Sequence, residues 1–307
     1  MRIAVPDFVS STFIPLLAAQ ELGIFQEEGQ DVEIVTIRAL GDVEALRDGA
    51  VDFSSGTAHA PLMIFPEWRG VKLVATVAQG TPWMLVMKAG LAKRGEIEAV
   101  KGRRIAADRG PDLVFKYLLG EAGIDIERDR VDIGPLPETS QSGASFGVAA
   151  GRALADGKVD GLWANVLGCE LAMHLGGGSV VVDTRRGDGP PGAGHYSFAA
   201  LATTESNIAT KRERIAAVIR AVVRAQSVLR QDPVRATAVM KTLFPPVEAE
   251  LMGHILVRDA EFYQPSIATE AIAAMNRFAQ AVGLLASPVP YEQVVATQFR
   301  SLWAVER

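Results

Sequence analysis

The sequence predicts an α/β protein of two Rossmann-like lobes with mainly parallel sheets, a two-segment hinge, and a helical C-terminal layer on lobe one. Three observations predict it. First, part of the opening third is written twice: Arg2-Ile3-Ala4, Leu22-Gly23-Ile24 and Leu46-x-Asp48-Gly49-x-Val51-Asp52 recur as Arg104-Ile105-Ala106, Ala122-Gly123-Ile124 and Leu154-x-Asp156-Gly157-x-Val159-Asp160. The offsets of 102, 100 and 108 residues exceed a solenoid unit of roughly 20–50 residues and fit two lobes of like design. Second, strand and helix patterns alternate, which argues for parallel sheets with right-handed crossovers. Third, from Glu205 onward the strand signal gives way to helix.

The elements follow in order. Ile3 to Val5 is a short apolar run closed by Pro6, a buried strand. Ser10-Ser11-Thr12 offers caps for a helix through Ile14, Leu17 and Leu22 that Gly23 stops. Asp31 to Ile37 alternates with period two. A helix through Val43 and Leu46 ends at Gly49, and Val51-Asp52-Phe53 is the next strand. Ser54-Ser55-Gly56-Thr57 then reads as a turn into another helix, and Val71–Val77 and Trp83–Met87 as strands. The second unit repeats the order, with strands at Arg103–Ala107, Val131–Ile133, Val159–Leu162 and Ser179–Asp183. Gly187 to Gly194 is a loop of turn formers, and Tyr196–Ala202 is a strand. Five helical segments follow, the last over Tyr291–Leu302. The chain is expected to cross near Met87–Ala89 and return near Tyr196–Ala202, so that lobe one holds 1–87 plus 200–307 and lobe two 88–199.

Composition narrows the function. With 49% hydrophobic and 22% charged residues the chain has the makings of ordinary globular cores. A net charge of −5, with no basic block interleaved with aromatics, gives no basis for nucleic-acid binding. One cysteine, Cys169, excludes an intrachain disulfide and a clustered cysteine metal site. No run of about 18 apolar residues predicts a membrane span. The start already reads as a core strand, which implies the cytoplasm if Met1 is the natural start and export if a leader has been removed.

Pro15 to Val35 (P-L-L-A-A-Q-E-L-G-I-F-Q-E-E-G-Q-D-V-E-I-V) resembles the solute-binding proteins for nitrate, sulfonates, taurine and thiamine precursors, a type II periplasmic-binding-protein-like superfamily that includes the thiamine pyrimidine synthases. Leu46–Asp52, Val74–Gly80, Lys101–Ala106 and Gly157–Gly161 match it in the same order, over about residues 1–205. The resemblance implies two lobes that close over a small solute, met by loops at the carboxyl ends of strands, as in open α/β sheets generally. Relatives that desulfinate are expected to carry a cysteine in the first lobe, and pyrimidine synthases a cysteine-rich motif; this chain has neither.

Candidate ligand-binding residues come from those loops. Ser54, Ser55, Gly56 and Thr57 would offer amides and hydroxyls to an oxyanion, and Ser10, Ser11 and Thr12 stand in the equivalent loop after the first strand. In each case plain helix capping is the alternative. Arg109 could grip an oxyanion with two hydrogen bonds, with Asp108 orienting it or receiving a cation. Trp163 could stack on an aromatic ligand while Asn165 hydrogen-bonds, and Trp83 lies near the crossing. His59 and His195 could approach one cleft and, with Asp108, supply acid–base groups if the protein were an enzyme. No nucleophile elbow, dinucleotide or phosphate loop, or metal spacing occurs, so no cofactor or metal is implied.

The leading reading is a solute-binding protein for a small organic anion, partnered by an ABC permease. The alternatives are a cofactor-free lyase or decarboxylase on the same scaffold, or a ligand sensor.

Overall fold

A computed structural model describes residues 1–136 and 145–304. In chain order the strands are β1 (Arg2–Val5), β2 (Glu33–Thr36), β3 (Phe53–Thr57), β4 (Val71–Ala78), β5 (Trp83–Lys88), β6 (Arg104–Ala107), β7 (Asp132–Gly134), β8 (Gly161–Asn165), β9 (Gly178–Asp183) and β10 (Ala199–Thr204). The helices are α1 (Ile14–Glu21), α2 (Ile24–Glu27), α3 (Gly41–Arg47), α4 (Pro61–Ile64), α5 (Pro111–Glu121), α6 (Phe146–Ala155), α7 (Val166–His174), α8 (Glu205–Thr210), α9 (Arg212–Gln231), α10 (Pro233–Leu243), α11 (Pro246–Asp259), α12 (Thr269–Ala281) and α13 (Tyr291–Val294).

The chain forms two compact units. One comprises Met1–Phe8, Thr12–Gln79 and Ser197–Arg307, the other Val9–Ser11 and Gly80–Tyr196. The first sheet has the order β2-β1-β3-β10-β4, the second β7-β6-β8-β5-β9. In the first, β1 pairs parallel with β2 and β3, and β10 runs antiparallel between β3 and β4. In the second, β6 pairs parallel with β7 and β8, and β5 runs antiparallel between β8 and β9. Each sheet is thus a parallel α/β layer with one inserted antiparallel strand. The expected crossing after Met87 falls earlier, because β5 is fully paired within the second sheet.

The repeated motifs do the same work twice. Arg2 N donates to Asp52 Oδ2 at 2.8 Å and Arg104 N to Asp160 Oδ2 at 3.0 Å, so the terminal aspartate of each motif holds the start of the neighbouring strand. The glycines end helices: Gly49 at φ +73° and Gly157 at φ +72° occupy the left-handed region. There Ala50 N reaches back to Ala45 O and Lys158 N to Ala153 O, the paired C-terminal hydrogen bonds that glycine permits.

In unit one, α9 packs against α1, α2 and β4. Its Gln226 is fully buried and donates to Thr76 O and Val77 O, both at 2.9 Å, tying the helix to the end of β4. The expected last helix stops at Val294, because Val295 bridges to Leu73 and Ala296 N donates to Leu73 O; a 3-10 segment over Thr297–Trp303 follows. Among the described residues no helix is long and apolar enough to cross a membrane.

Candidate functional site

In unit one the polar run at β3 is strand rather than turn. Ser54 pairs with Ala4 of β1, and Ser54 to Thr57 face Ala202 to Ala199 of β10, so these amides belong to the sheet and are not the free start of a helix. Helix α4 begins only at Pro61 and is a single short turn. Side chains therefore carry whatever chemistry this strand has. Strand alternation sends Ser54 and Gly56 to one face and Ser55 and Thr57 to the other. Ser54 Oγ donates to Asp42 Oδ2 at 2.6 Å. Ser55 Oγ is buried and has no hydrogen-bond partner among the described residues.

Asp42, in the first turn of α3, is only 1% exposed. Burial lifts its carboxyl to about 6 despite the Ser54 hydrogen bond and the nearby amides of Val43, Asp42 and Leu40. Nothing in the sequence marks it, since an aspartate in a first helical turn is ordinarily a solvated residue favoured by the helix dipole.

His59 is also sealed. Its Nδ1 lies 2.9 Å from Ser197 Oγ and its ring meets Phe278 edge-on at 5.1 Å, which ties the segment after β3 to the chain entering β10. Ser10, Ser11 and Thr12 are all buried ahead of α1, whose N-cap is Phe13, with no side-chain capping bond.

Unit two distributes its candidates differently. Trp163 is fully buried, stacks on Phe115 at 5.0 Å and donates from Nε1 to Pro111 O at 3.1 Å; it is core, with no face left for an aromatic ligand. Trp83, nearly buried, tilts against it at 6.2 Å. Asn165 caps α7 by accepting from Gly168 N at 2.9 Å. Arg109 is exposed, and the amides ahead of α5 are already taken: Arg109 N by Asp108 Oδ1 and Gly110 N by Asp112 Oδ1, each at 2.9 Å. An oxyanion there would meet two carboxylates, so the proposed two-bond grip has no support at this corner. Half-buried Asp108 accepts from the Arg109 amide of its own turn.

The glycine-rich loop is pinned. Thr81 N donates to Gly194 O at 2.9 Å, Thr81 Oγ1 to Ala193 O at 2.8 Å, and Asp188 Oδ2 accepts from Asp183 N and Arg94 Nε, each at 2.8 Å. His195 ends this loop exposed. Two residues beside it went unread in the sequence. Arg185 has Nε and Nη2 buried, and its Cγ would stand 3.0 Å from a β-carbon at Gly80, so glycine makes room for that side chain. Tyr196 Oη is buried without a hydrogen-bond partner among the described residues, beside Tyr117, whose ring meets its own edge-on at 4.8 Å; burial, then Tyr117 and Glu121, push its phenol up to about 12. Arginine in a loop and tyrosine at a strand entry are too common to stand out in sequence. Cys169 is wholly buried, and burial pushes its thiol far up, which removes it as a nucleophile at neutral pH.

Two units of this strand order define a periplasmic-binding-protein-like α/β fold of type II. The chain belongs to the NMT1/THI5-like family, whose model matches residues 10–236. No curated protein matches the sequence. Among solved structures, the chain is similar to the periplasmic sulfonate-binding protein SsuA from Methylobacillus flagellatus, with 19% identity, a TM-score of 0.69, and 98% of this chain and 92% of that one covered. It is similar to the periplasmic nitrate-binding protein NrtA from Synechocystis, with 13% identity, a TM-score of 0.71 and coverage of 98% and 87%. It is also similar to the desulfurization enzyme DszB, with 14% identity, a TM-score of 0.63 and coverage of 98% and 97%. At these identities the likeness concerns fold.

Proposed function

We propose that the chain is a solute-binding protein that closes over a small organic anion, a carboxylate or sulfonate, and delivers it to an ABC-type importer. One observation carries this: in the second unit Tyr196 Oη is buried with no hydrogen-bond partner among the described residues. An unpaired buried polar group costs about 1–3 kcal/mol, a penalty that a bound ligand removes. Arg185, with its buried guanidinium atoms, is the residue proposed to meet the acid group, because a partly desolvated guanidinium binds carboxylate or sulfonate oxygens in a fixed geometry. The family and the fold of the sulfonate- and nitrate-binding neighbours support the same reading.

The test is a thermal-shift screen of carboxylates and sulfonates, aliphatic and aromatic. A ligand at 100 times its Kd adds about 2.7 kcal/mol of stability. Hits recovered unchanged after long incubation fit a binder, and hits consumed fit a lyase. Tyr196→Phe removes only the unpaired hydroxyl, so it should keep the protein's stability while weakening a hit by about 3- to 10-fold, the equivalent of one hydrogen bond. A panel without hits, or hits untouched by both Tyr196→Phe and Arg185→Gln, would remove the proposal.

A further inference from the structure

The turn between β2 and α3 holds a leucine where the backbone resists one. Leu40 stands at φ +73° and ψ −40°, close to the strained γ-turn, a conformation unfavourable for any residue with a β-carbon. Gly41, which would take a positive φ at no steric cost, is the next residue, yet it enters α3 as an ordinary helical residue. The core does not explain the choice, because Leu40 is half-exposed whereas Val43 and Leu46 of α3 are buried. Asp42 braces the turn from inside. The amides of Val43, Asp42 and Leu40 surround its buried carboxylate, which also accepts from Ser54 Oγ at 2.6 Å, and its own amide donates to Arg38 O at 3.1 Å. Its Oδ2 would stand 3.1 Å from a β-carbon at Gly56, so the turn is fixed beside the last residues of β3. Ligands of open α/β sheets meet that carboxyl end, and strain over-determined by its surroundings gathers at ligand sites.

We infer that Leu40 is a specificity-determining residue of the first unit, an apolar wall that touches the part of the solute beside its acid group. This rests on the proposed solute-binding function and deepens it. A leucine held in one place gains contact area as that part of the solute grows, whereas the smallest acids leave it in water. Glycine at position 40 would make the turn without strain but would supply no wall. The strained leucine is thus a side chain kept for what it meets rather than for the fold.

Size series read this directly. Methanesulfonate, butanesulfonate and benzenesulfonate, and acetate, pentanoate and benzoate, are titrated calorimetrically into the wild-type protein, Leu40→Ala and Leu40→Gly. The wild type should bind a larger member of at least one series about tenfold or more tightly than the methyl member. Both variants should cut that ratio to about a third or less while the methyl member keeps its affinity within about twofold. Leu40→Gly relieves the backbone and so secures a folded variant even if Leu40→Ala is unstable. A ratio that survives in Leu40→Gly overturns the inference. Equal weakening of every member overturns it too, since that is the mark of a turn that serves only the fold. A wild type without size preference overturns it and leaves the anion-binding reading intact, whereas failure of all six acids to bind overturns both.

Discussion

Asp42 has a stability consequence that is separate from any ligand. Burial first, only partly offset by the Ser54 hydrogen bond and nearby amides, lifts its carboxyl to about 6 from the 3.8 of an unstrained aspartate. Between those values the folded chain holds a proton that the unfolded chain has released. Its contribution is therefore favourable at low pH and is lost as pH rises through 6. A shift of about two units corresponds to about 3 kcal/mol. Glu28 and Asp52 act in the opposite sense. Burial raises both, but Arg220 and Arg224 outweigh it for Glu28, and Lys211 and the Arg2 amide for Asp52, so the stability they give is lost as pH falls. Comparison with Asp42→Asn isolates the one group, because the substitution keeps the shape and removes the ionisation. At pH 7.5 the variant should be about 2–3 kcal/mol more stable in urea, with the gap closing toward zero at pH 4. A gap that does not depend on pH would show that burial of the charge is not what Asp42 contributes.

At the scale of elements, much was legible because short motifs with fixed mechanisms repeat. The two copies of Leu-x-Asp-Gly-x-Val-Asp announced helix stops and strand starts, and both copies bond alike. Polar runs were less legible. Ser54–Thr57 carries the residues of a turn, yet pairing with β10, which is remote in sequence, holds it as strand; a local reading has no access to a partner about 145 residues away. Trp163 failed for a similar reason: β8 looks the same whether its tryptophan faces a ligand or, as here, stacks on Phe115. Close helix contact was likewise invisible. Where α6 and α7 meet, a β-carbon at Gly168 would stand 2.4 Å from Gly147 O, and one at Gly151 2.6 Å from Gly168 O. Both obstacles are backbone, which cannot rotate aside. Gly168→Ala should therefore destabilise the protein by about 1–3 kcal/mol or more, despite alanine's better helix propensity. Denaturant unfolding of Gly168→Ala checks this, with Gly120→Ala in α5, where nothing lies within 4 Å of the added carbon, as the neutral or slightly stabilised control. Equal midpoints for the two would mean that the helices separate without cost.

For the molecule as a whole, the units differ in how the chain builds them. Every strand of the second sheet, β5 to β9, lies within Gly80–Tyr196. The first sheet has no such contiguity: β10, between β3 and β4, arrives from beyond residue 196, so residues 1–79 alone would leave β4 without its sheet partner, β3 with one open edge, and the buried positions of β4, such as Val71, Leu73 and Val77, short of their cover. The repeat in the sequence revealed two like designs, but it could not show which inserted strand belongs to which sheet; that is decided by long-range pairing, where β5 joins the strands that follow it and β10 the strands that preceded it by well over a hundred residues. The expected asymmetry is experimental. A fragment spanning Gly80–Tyr196 should fold alone, with a cooperative urea transition and the near-ultraviolet signal of packed Trp83 and Trp163. Its stability should be on the order of 5 kcal/mol, near the low end for a domain of its size, because Val9–Ser11 is missing from it. A fragment of residues 1–79 should stay unfolded, and adding 197–307 in trans should restore structure only when β10 can enter between its partners. If the Gly80–Tyr196 fragment showed no cooperative transition, its complete sheet would not be a sufficient core, and the unit would depend on the rest of the chain to fold.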